Sequence, residues 1–452
     1  MNIVLIVLDT ARGDITNSLI EDGELPNLAA LAKNGQWYTD ARANGPWTVP
    51  SHGSIFTGEY PSESGITGDD PTYYNVPLVE ELSSKGYATA GYSANPWLSA
   101  EFNFNSAFDV FHNKFDYDPN GISISHLFRE STNPSDLLMT FFSEIRDKPV
   151  ASSLINLLFW AYQRSRRKDS GGKYLLSRAA DRLVKDPERD DFIFVNVTEP
   201  HLAYSVPDEW LPKDITKSDL NNIEQDPAQY NANISDISED EFGILRDTYR
   251  STLKYVDHQL EQLIKKASDN TTIIVAGDHG ELLGEHNRFG HQYSLHRELL
   301  HVPLVINGPT IEPKKVTETV ELKSLCEIIL GLAENETRRL PEQPYHIAET
   351  ISPRPSLATL KQKDGSSPGE YVYMYNHGAR SITSDRGKLI EFPDGDVKFI
   401  NEDGSEATAS QELRESLHST LANECGEIIS GRDTDLKVSE DIKSQLKDLG
   451  YA

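Results

Sequence analysis

Two apolar runs far apart in the chain both end on residues that bind metal ions. Thr272-Ile273-Ile274-Val275-Ala276-Gly277 is a β-branched run that reads as a buried strand, and it leads straight into Asp278-His279-Gly280-Glu281. Ile3-Val4-Leu5-Ile6-Val7-Leu8 repeats the pattern and is closed by Asp9. In open α/β sheets, ligands gather outside the carboxyl ends of the strands. Brought together there, Asp9, Asp278 and His279 would offer two carboxylates and an imidazole to one divalent cation. A third segment, Gly45-Pro46-Trp47-Thr48-Val49-Pro50-Ser51-His52-Gly53-Ser54, places hydroxyls at the start of a helix. Free N–H groups and the positive end of the dipole favour an oxyanion at such a position. Thr48, Ser51 and Ser54 all carry hydroxyls, and residue type alone does not choose among them.

Positioning these groups requires a sheet. Residues 87–92, 192–197 and 302–306 read as further apolar strands, and 25–33, 77–86 and 240–266 as amphipathic helices. Strands interleaved with helices predict an α/β fold, a mostly parallel sheet sandwiched by helices. From about 100 to 188 the pattern is aromatic, polar and helical without a clear strand, and reads as an insertion. Beyond about 345 the texture changes to short strands and turns. Tyr371–Tyr375 and Lys388–Phe392 read as strands there, with turn chemistry at Pro393-Asp394-Gly395-Asp396, so a small antiparallel sheet is expected. The expected division is a catalytic domain over 1–345 and a small C-terminal α+β domain over 346–452.

The chain has 452 residues, with 71 acidic against 43 basic side chains and a formal charge of −28. Such a surface repels nucleic acid and anionic membranes as general partners. Acidity on this scale suits concentrated salt, where screening weakens self-repulsion, and so a halophilic archaeal source. Cys326 and Cys425 form neither a disulfide framework nor a zinc knuckle. No secretion signal is visible, so a cytoplasmic location is expected. No apolar run is long enough to span a membrane. The stretch 153–168, apolar and then basic, could lie on a membrane surface or cover the core as a lid.

Several of these segments carry a family resemblance. Thr48-Val49-Pro50-Ser51-His52 with Thr57-Gly58 resembles the sulfatase signature Cys/Ser-x-Pro-Ser-Arg with Thr-Gly downstream. Val7-Leu8-Asp9-Thr10 looks like the family's N-terminal metal motif, and Glu199-Pro200-His201 its Pro-His element. Asp278-His279-Gly280-Glu281, Gly284-Glu285-His286 and Val302-Pro303-Leu304 match the block that closes its catalytic domain, and Leu446-Lys447-Asp448-Leu449-Gly450-Tyr451 resembles its final helix. The chain is identified as a member of the sulfatase branch of the alkaline phosphatase superfamily.

That resemblance implies one divalent cation (calcium, magnesium or manganese, with zinc a further choice) held by Asp9, Asp278 and His279. Thr48 would join them as ligand and nucleophile. Thr10 stands where many relatives carry a second acid and is the weakest ligand candidate. His201 would touch the transferred group or protonate the leaving oxygen. His291 falls near a lysine or histidine of relatives that faces the same anion, and His52 replaces the signature arginine. Threonine cannot become formylglycine, the aldehyde of true sulfatases, so none is expected. A threonine alkoxide can still attack phosphorus, as it does in phosphodiesterases and phosphoglycerol transferases of the superfamily. The expected activity is hydrolysis of sulfate or phosphate esters, on small, glycan-linked or lipid-linked substrates. A phosphodiesterase, phosphonate hydrolase or phospho-group transferase is the alternative, and an inactive anion- or glycan-binding protein the second.

Overall fold

The computed structural model describes residues 1–113, 149–156, 158, 170–185, 189–336, 339–433, 436 and 438–451. Strand β1 (Asn2–Leu8) shows why a covered sheet forms. Ile3, Leu5 and Val7 pack into one core and Val4, Ile6 and Leu8 into another, so both faces of the strand are apolar. Both must then be covered. Helices Thr48–Thr57, Pro77–Ser84 and Ser324–Ala333 close the first face. Helices Gly13–Glu21, Gly172–Lys185 and Glu239–Lys266 close the second.

The other strands are β2 (Gln36–Arg42), β3 (Ala88–Ser93), β4 (Val110–Asn113), β5 (Asp191–Val197) and β6 (Thr271–Gly277). After them come the short pair β7 (Leu282–Leu283) and β8 (Phe289–Gly290), then β9 (His301–Asn307), β10 (Lys314–Val316) and β11 (Val320–Glu321). The large sheet runs β10-β2-β9-β6-β1-β5-β3-β4, with β11 also on β2. From β6 to β4 all neighbours are parallel, while β9 is antiparallel to both β6 and β2. The sheet is therefore mixed and mostly parallel. In register, Leu8 of β1 stands opposite Gly277 of β6 and Val197 of β5. Their next residues leave the sheet at one level.

A second sheet runs β12-β13-β14-β15, all antiparallel, over His346–Thr350, Ala379–Ser384, Gly387–Glu391 and Val397–Ile400. Helix Gln411–Cys425 packs on it through Leu413, Leu417 and Leu421, spaced by four.

Two readings of the sequence are corrected. β4 lies inside the stretch expected to hold no strand. Four residues at a sheet edge, paired with β3 alone, are too few to show a period. Tyr371–Tyr375 belongs to a helix, Glu370–Tyr375, and not a strand. Its buried residues are Val372 and Tyr375, three apart, while Tyr373 is 48 % exposed, so helical spacing overrode an alternating composition. Of the stretch 153–168, only 153–156 and 158 are described, and the rest lies outside the described residues. Among the described residues no helix is long and apolar enough to cross a membrane.

Glu321 of β11 ties the two sheets together. Its carboxylate accepts from the Tyr60 hydroxyl at 3.0 Å and from the Ile347 backbone N–H of β12 at 2.7 Å. Burial outweighs these donors and pushes its pKa from 4.5 up to about 7. The folded state then keeps a proton that the unfolded chain has already released. This group's contribution to stability is present below pH 4.5 and is lost as pH rises through about 7. Glu321→Gln is expected to flatten the Tm profile across that window, measured by thermal melts at fixed ionic strength; an unchanged slope would refute the assignment.

Candidate metal centre and nucleophile

Four neighbouring parallel strands deliver the site. β6 ends at Asp278 and His279, β1 at Asp9 and Thr10, β5 runs on to His201, and β3 to Asn95. The chain turns sharply after β1 because Thr10 adopts a left-handed φ of 59°, an uncommon conformation for a β-branched residue. The Tyr249 hydroxyl holds it there, donating to the Thr10 carbonyl at 2.8 Å and accepting from the Arg12 N–H at 2.7 Å. In that conformation the Thr10 N–H donates to Asp278 Oδ1 at 3.1 Å, as does the His279 N–H at 2.8 Å.

These bonds leave Asp278 Oδ2 facing His279 Nε2 at 3.5 Å, with Asp9 Oδ1 3.7 Å from the same nitrogen. All three atoms are buried without a hydrogen-bond partner, and they lie within 4.8 Å of one another. Orphaned polar atoms in a protein interior are costly, and two carboxylates facing each other there cost more. Burial and the Asp9 charge push the Asp278 carboxyl well above the usual range. Burial holds the His279 imidazole neutral, which is its ligating form. Two hard oxygens and one neutral nitrogen aimed at one point fit a divalent cation. Thr10 Oγ1 is likewise buried without a partner.

Thr48 begins its helix beside this cluster. The Asn95 side-chain amide donates to Thr48 Oγ1 at 3.1 Å and to Asp9 Oδ2 at 2.7 Å, so one side chain links nucleophile candidate and carboxylate. Ser51 spends its hydroxyl on the Asp278 carbonyl at 2.6 Å, and Ser54 sits two turns in from the helix start. Of the three hydroxyls left open by residue type, Thr48 is the one joined to Asp9 through Asn95.

The histidines separate by position. His201 binds the Leu202 carbonyl through Nδ1, leaves Nε2 buried and unpartnered, and lies 5.2 Å from the His291 ring. His291 contacts Glu281 Oε1 at 2.8 Å and stands 4.6 Å, ring to ring, from His279. Burial drives the Glu281 carboxyl up to about 8 and the His291 imidazole well below its ordinary value. His52 lies on the core side of the helix among Phe56, Phe104 and Phe194, with Nδ1 on the Thr48 carbonyl at 3.0 Å. Burial lowers its pKa to about 3, so it carries no charge toward an anion.

His286 and His296 form a second cluster with Glu298. Their rings stack at 3.9 Å and 10°. Imidazole lone pairs lie in the ring plane, and two nearly parallel planes do not meet at a nearby ion. Arg288 and Lys388 add positive charge beside His296. That cluster reads as packing. His301 is spent on the Thr39 carbonyl at 2.8 Å.

Residue types had not singled out Asn95 or Tyr451 for a role. Asn95 could have been found as the first amide after a predicted strand tip. Tyr451 stands in the sequence only as the end of a segment resembling the family's final helix, with no role attached; it follows helix Glu440–Asp448, and its hydroxyl reaches His291 Nε2 at 2.6 Å.

Comparison with known proteins identifies the family and the fold. A family model described as Sulfatase matches residues 1–335. A sulfatase of Formosa agariphila is 22% identical over 443 residues, covering 88% of this chain and 80% of the relative. Among solved structures, a phosphonate monoester hydrolase from Silicibacter pomeroyi superposes with a TM-score of 0.64 at 17% identity, covering 93% of this chain and 94% of its own. A 2-O GAG sulfatase does so with a TM-score of 0.56 at 15% identity, covering 96% and 98%.

Proposed function

The chain belongs to the sulfatase family of the alkaline phosphatase superfamily, and from that premise we propose that it cleaves oxyesters with Thr48 as nucleophile. It is a sulfatase-family hydrolase of sulfate or phosphate esters; the reading concerns which residues act and on which element. The observation that carries it is the Asn95 bridge between Thr48 Oγ1 and Asp9, next to three unpartnered ligand atoms. Asp9, Asp278 and His279 would hold the cation, with Thr48 and Thr10 as further oxygens. A bound divalent cation supplies Lewis acidity, polarising ester oxygens and favouring the alkoxide of a neighbouring hydroxyl.

The chain's own groups do the rest. Thr48 Oγ forms a bond to the central atom of the ester as the bond to the leaving oxygen breaks. His201 donates its Nδ1–H to the Leu202 carbonyl, so its Nε2 is the nitrogen left to take up the proton that Thr48 loses and, as imidazolium, to hand it to that leaving oxygen. Water then cleaves the Thr48 ester and restores the hydroxyl. His291, with Nδ1 at Glu281 and Nε2 at the Tyr451 hydroxyl, would reach the anion through that hydroxyl or on displacing it. His52, neutral and packed among phenylalanines, buttresses the Thr48 turn. Without a formylglycine precursor, collapse of a hemiacetal cannot expel sulfate, so phosphorus is the favoured element.

The test is a matched panel of aryl sulfate, phosphate monoester, phosphodiester and phosphonate, each with calcium, magnesium, manganese or zinc. Turnover of the phosphorus esters with sulfate at least tenfold slower is expected. Turnover of sulfate alone would reverse the choice of element.

A further inference from the structure

Asn95 lies two residues past the end of β3 and is buried. The Ser93 hydroxyl accepts from its backbone N–H at 3.0 Å and donates to its carbonyl at 3.2 Å, which fixes the turn out of the strand. The Asn95 side-chain oxygen accepts from the Trp97 N–H at 2.9 Å. The two ends of an amide are told apart by the bonds around them, and this one makes the other end the donor. An NH2 group has two hydrogens, and here each has its own acceptor: Asp9 Oδ2 at 2.7 Å and Thr48 Oγ1 at 3.1 Å. The segments that carry amide and hydroxyl also pack on each other. The Trp97 ring meets Trp47, the residue before Thr48, with centroids 5.4 Å apart.

Both acceptors are sorted by this arrangement. Asp9 spends Oδ2 on the amide and keeps Oδ1, which has no hydrogen-bond partner, 3.7 Å from His279 Nε2. A threonine hydroxyl rotates freely unless its partners fix it. Thr48 gives one lone pair to the amide, so its own hydrogen points away from Asn95 and fewer rotations remain open to it. Carboxylate and nucleophile are thus held in one frame before a substrate arrives. Orientation of this kind lowers a barrier without strengthening ground-state binding.

We propose that Asn95 is a positioning residue, its amide aiming Thr48 Oγ relative to Asp9 so that metal centre and nucleophile are aligned as one unit. The inference rests on Thr48 being the nucleophile. Support of a metal ligand and aiming of the hydroxyl are separable, because weakened support is overcome by more cation and a lost aim is not.

The experiment compares full-length wild type, Asn95→Ala and Asn95→Asp on a phosphonate or phosphodiester turned over by the wild type. Asn95→Asp keeps the shape and the oxygen facing Trp97 and loses both donors; Asn95→Ala controls for its added charge. Readouts are kcat and KM across a cation titration, Tm in chelator, and the rate at which phospho-Thr48 forms in a quenched single turnover. At saturating cation both variants should show kcat and adduct formation lower by about 10- to 100-fold, with KM within about twofold. At least one should keep the wild-type Tm in chelator, which separates aiming from folding. Adduct rates equal to the wild type, or a deficit that vanishes at saturating cation, would overturn the role of Asn95 while leaving Thr48 as nucleophile. Absence of phospho-Thr48 in the wild type would overturn the proposal together with its premise.

Discussion

Asp278→Asn is expected to abolish turnover, with a loss of at least about 10³-fold, beyond the 10- to 100-fold typical of groups that only support a metal ligand. Asparagine retains an oxygen for the Thr10 and His279 N–H groups, which Asp278 Oδ1 now accepts at 3.1 and 2.8 Å. What it removes is the charge at Oδ2, one of the three orphaned atoms. The thermal signature is as informative as the rate. A cation at a thousandfold excess over its Kd stabilises the fold by about 4 kcal/mol. Chelator should therefore lower the Tm of the wild type and leave that of Asp278→Asn unmoved. In chelator the variant should be at least as stable as the wild type, since it no longer buries a carboxylate against Asp9. Elemental analysis should find one bound divalent ion per chain in the wild type and none in the variant. A fully active Asp278→Asn, or a wild-type Tm indifferent to chelator, would dismantle the metal assignment.

Thr48→Ala should be equally severe for a different reason. It leaves Asp9, Asp278 and His279 intact, so at saturating cation the variant should still bind one ion and lose Tm in chelator, with an affinity lowered by the loss of one oxygen. Activity should nevertheless fall by at least about 10³-fold, because among the described residues Thr48 is the hydroxyl that shares the Asn95 amide with Asp9. Ser51 is committed to the Asp278 carbonyl. Thr48→Ser should retain much of the rate, and the quenched wild-type enzyme should carry the phosphoryl group on Thr48. A Thr48→Ala protein with normal kcat would show that water or another residue attacks. One variant thus empties the metal centre and the other silences a loaded one.

How far the site was legible from sequence differs residue by residue. Asp9 and Asp278 announced themselves because each directly follows an apolar strand, and His279 because it comes next after Asp278, a local pattern. Asn95 follows a strand as well, yet amides end strands routinely, and only its two bonds distinguish it. In sequence Tyr451 is marked only as the end of a family-like segment, and its contacts with Trp47, Trp97 and His291 are made across the fold. By its place in a motif His52 is expected to face the anion; its ring packs against Phe56, Phe104 and Phe194, while its Nδ1 stands 3.0 Å from the Thr48 carbonyl and 3.5 Å from Asp278 Oδ2. In the fold, the apolar strands and long helices were readable, whereas the four-residue β4 and the tyrosine-rich helix Glu370–Tyr375 were not.

Taken by itself, the order of side chains determined which stretches had to be buried strands, which acids and imidazoles stood at their ends, and that no aldehyde could arise at position 48. These are consequences of hydrophobic period and residue chemistry, and both are local. Tertiary structure alone decided that β1 lies between β5 and β6, with Leu8 level with Gly277, and so that Asp9 meets Asp278. It also decided which hydroxyl shares an amide with Asp9. Strand neighbours and side-chain contacts are set by the packing of segments hundreds of residues apart, and no window of sequence contains that information.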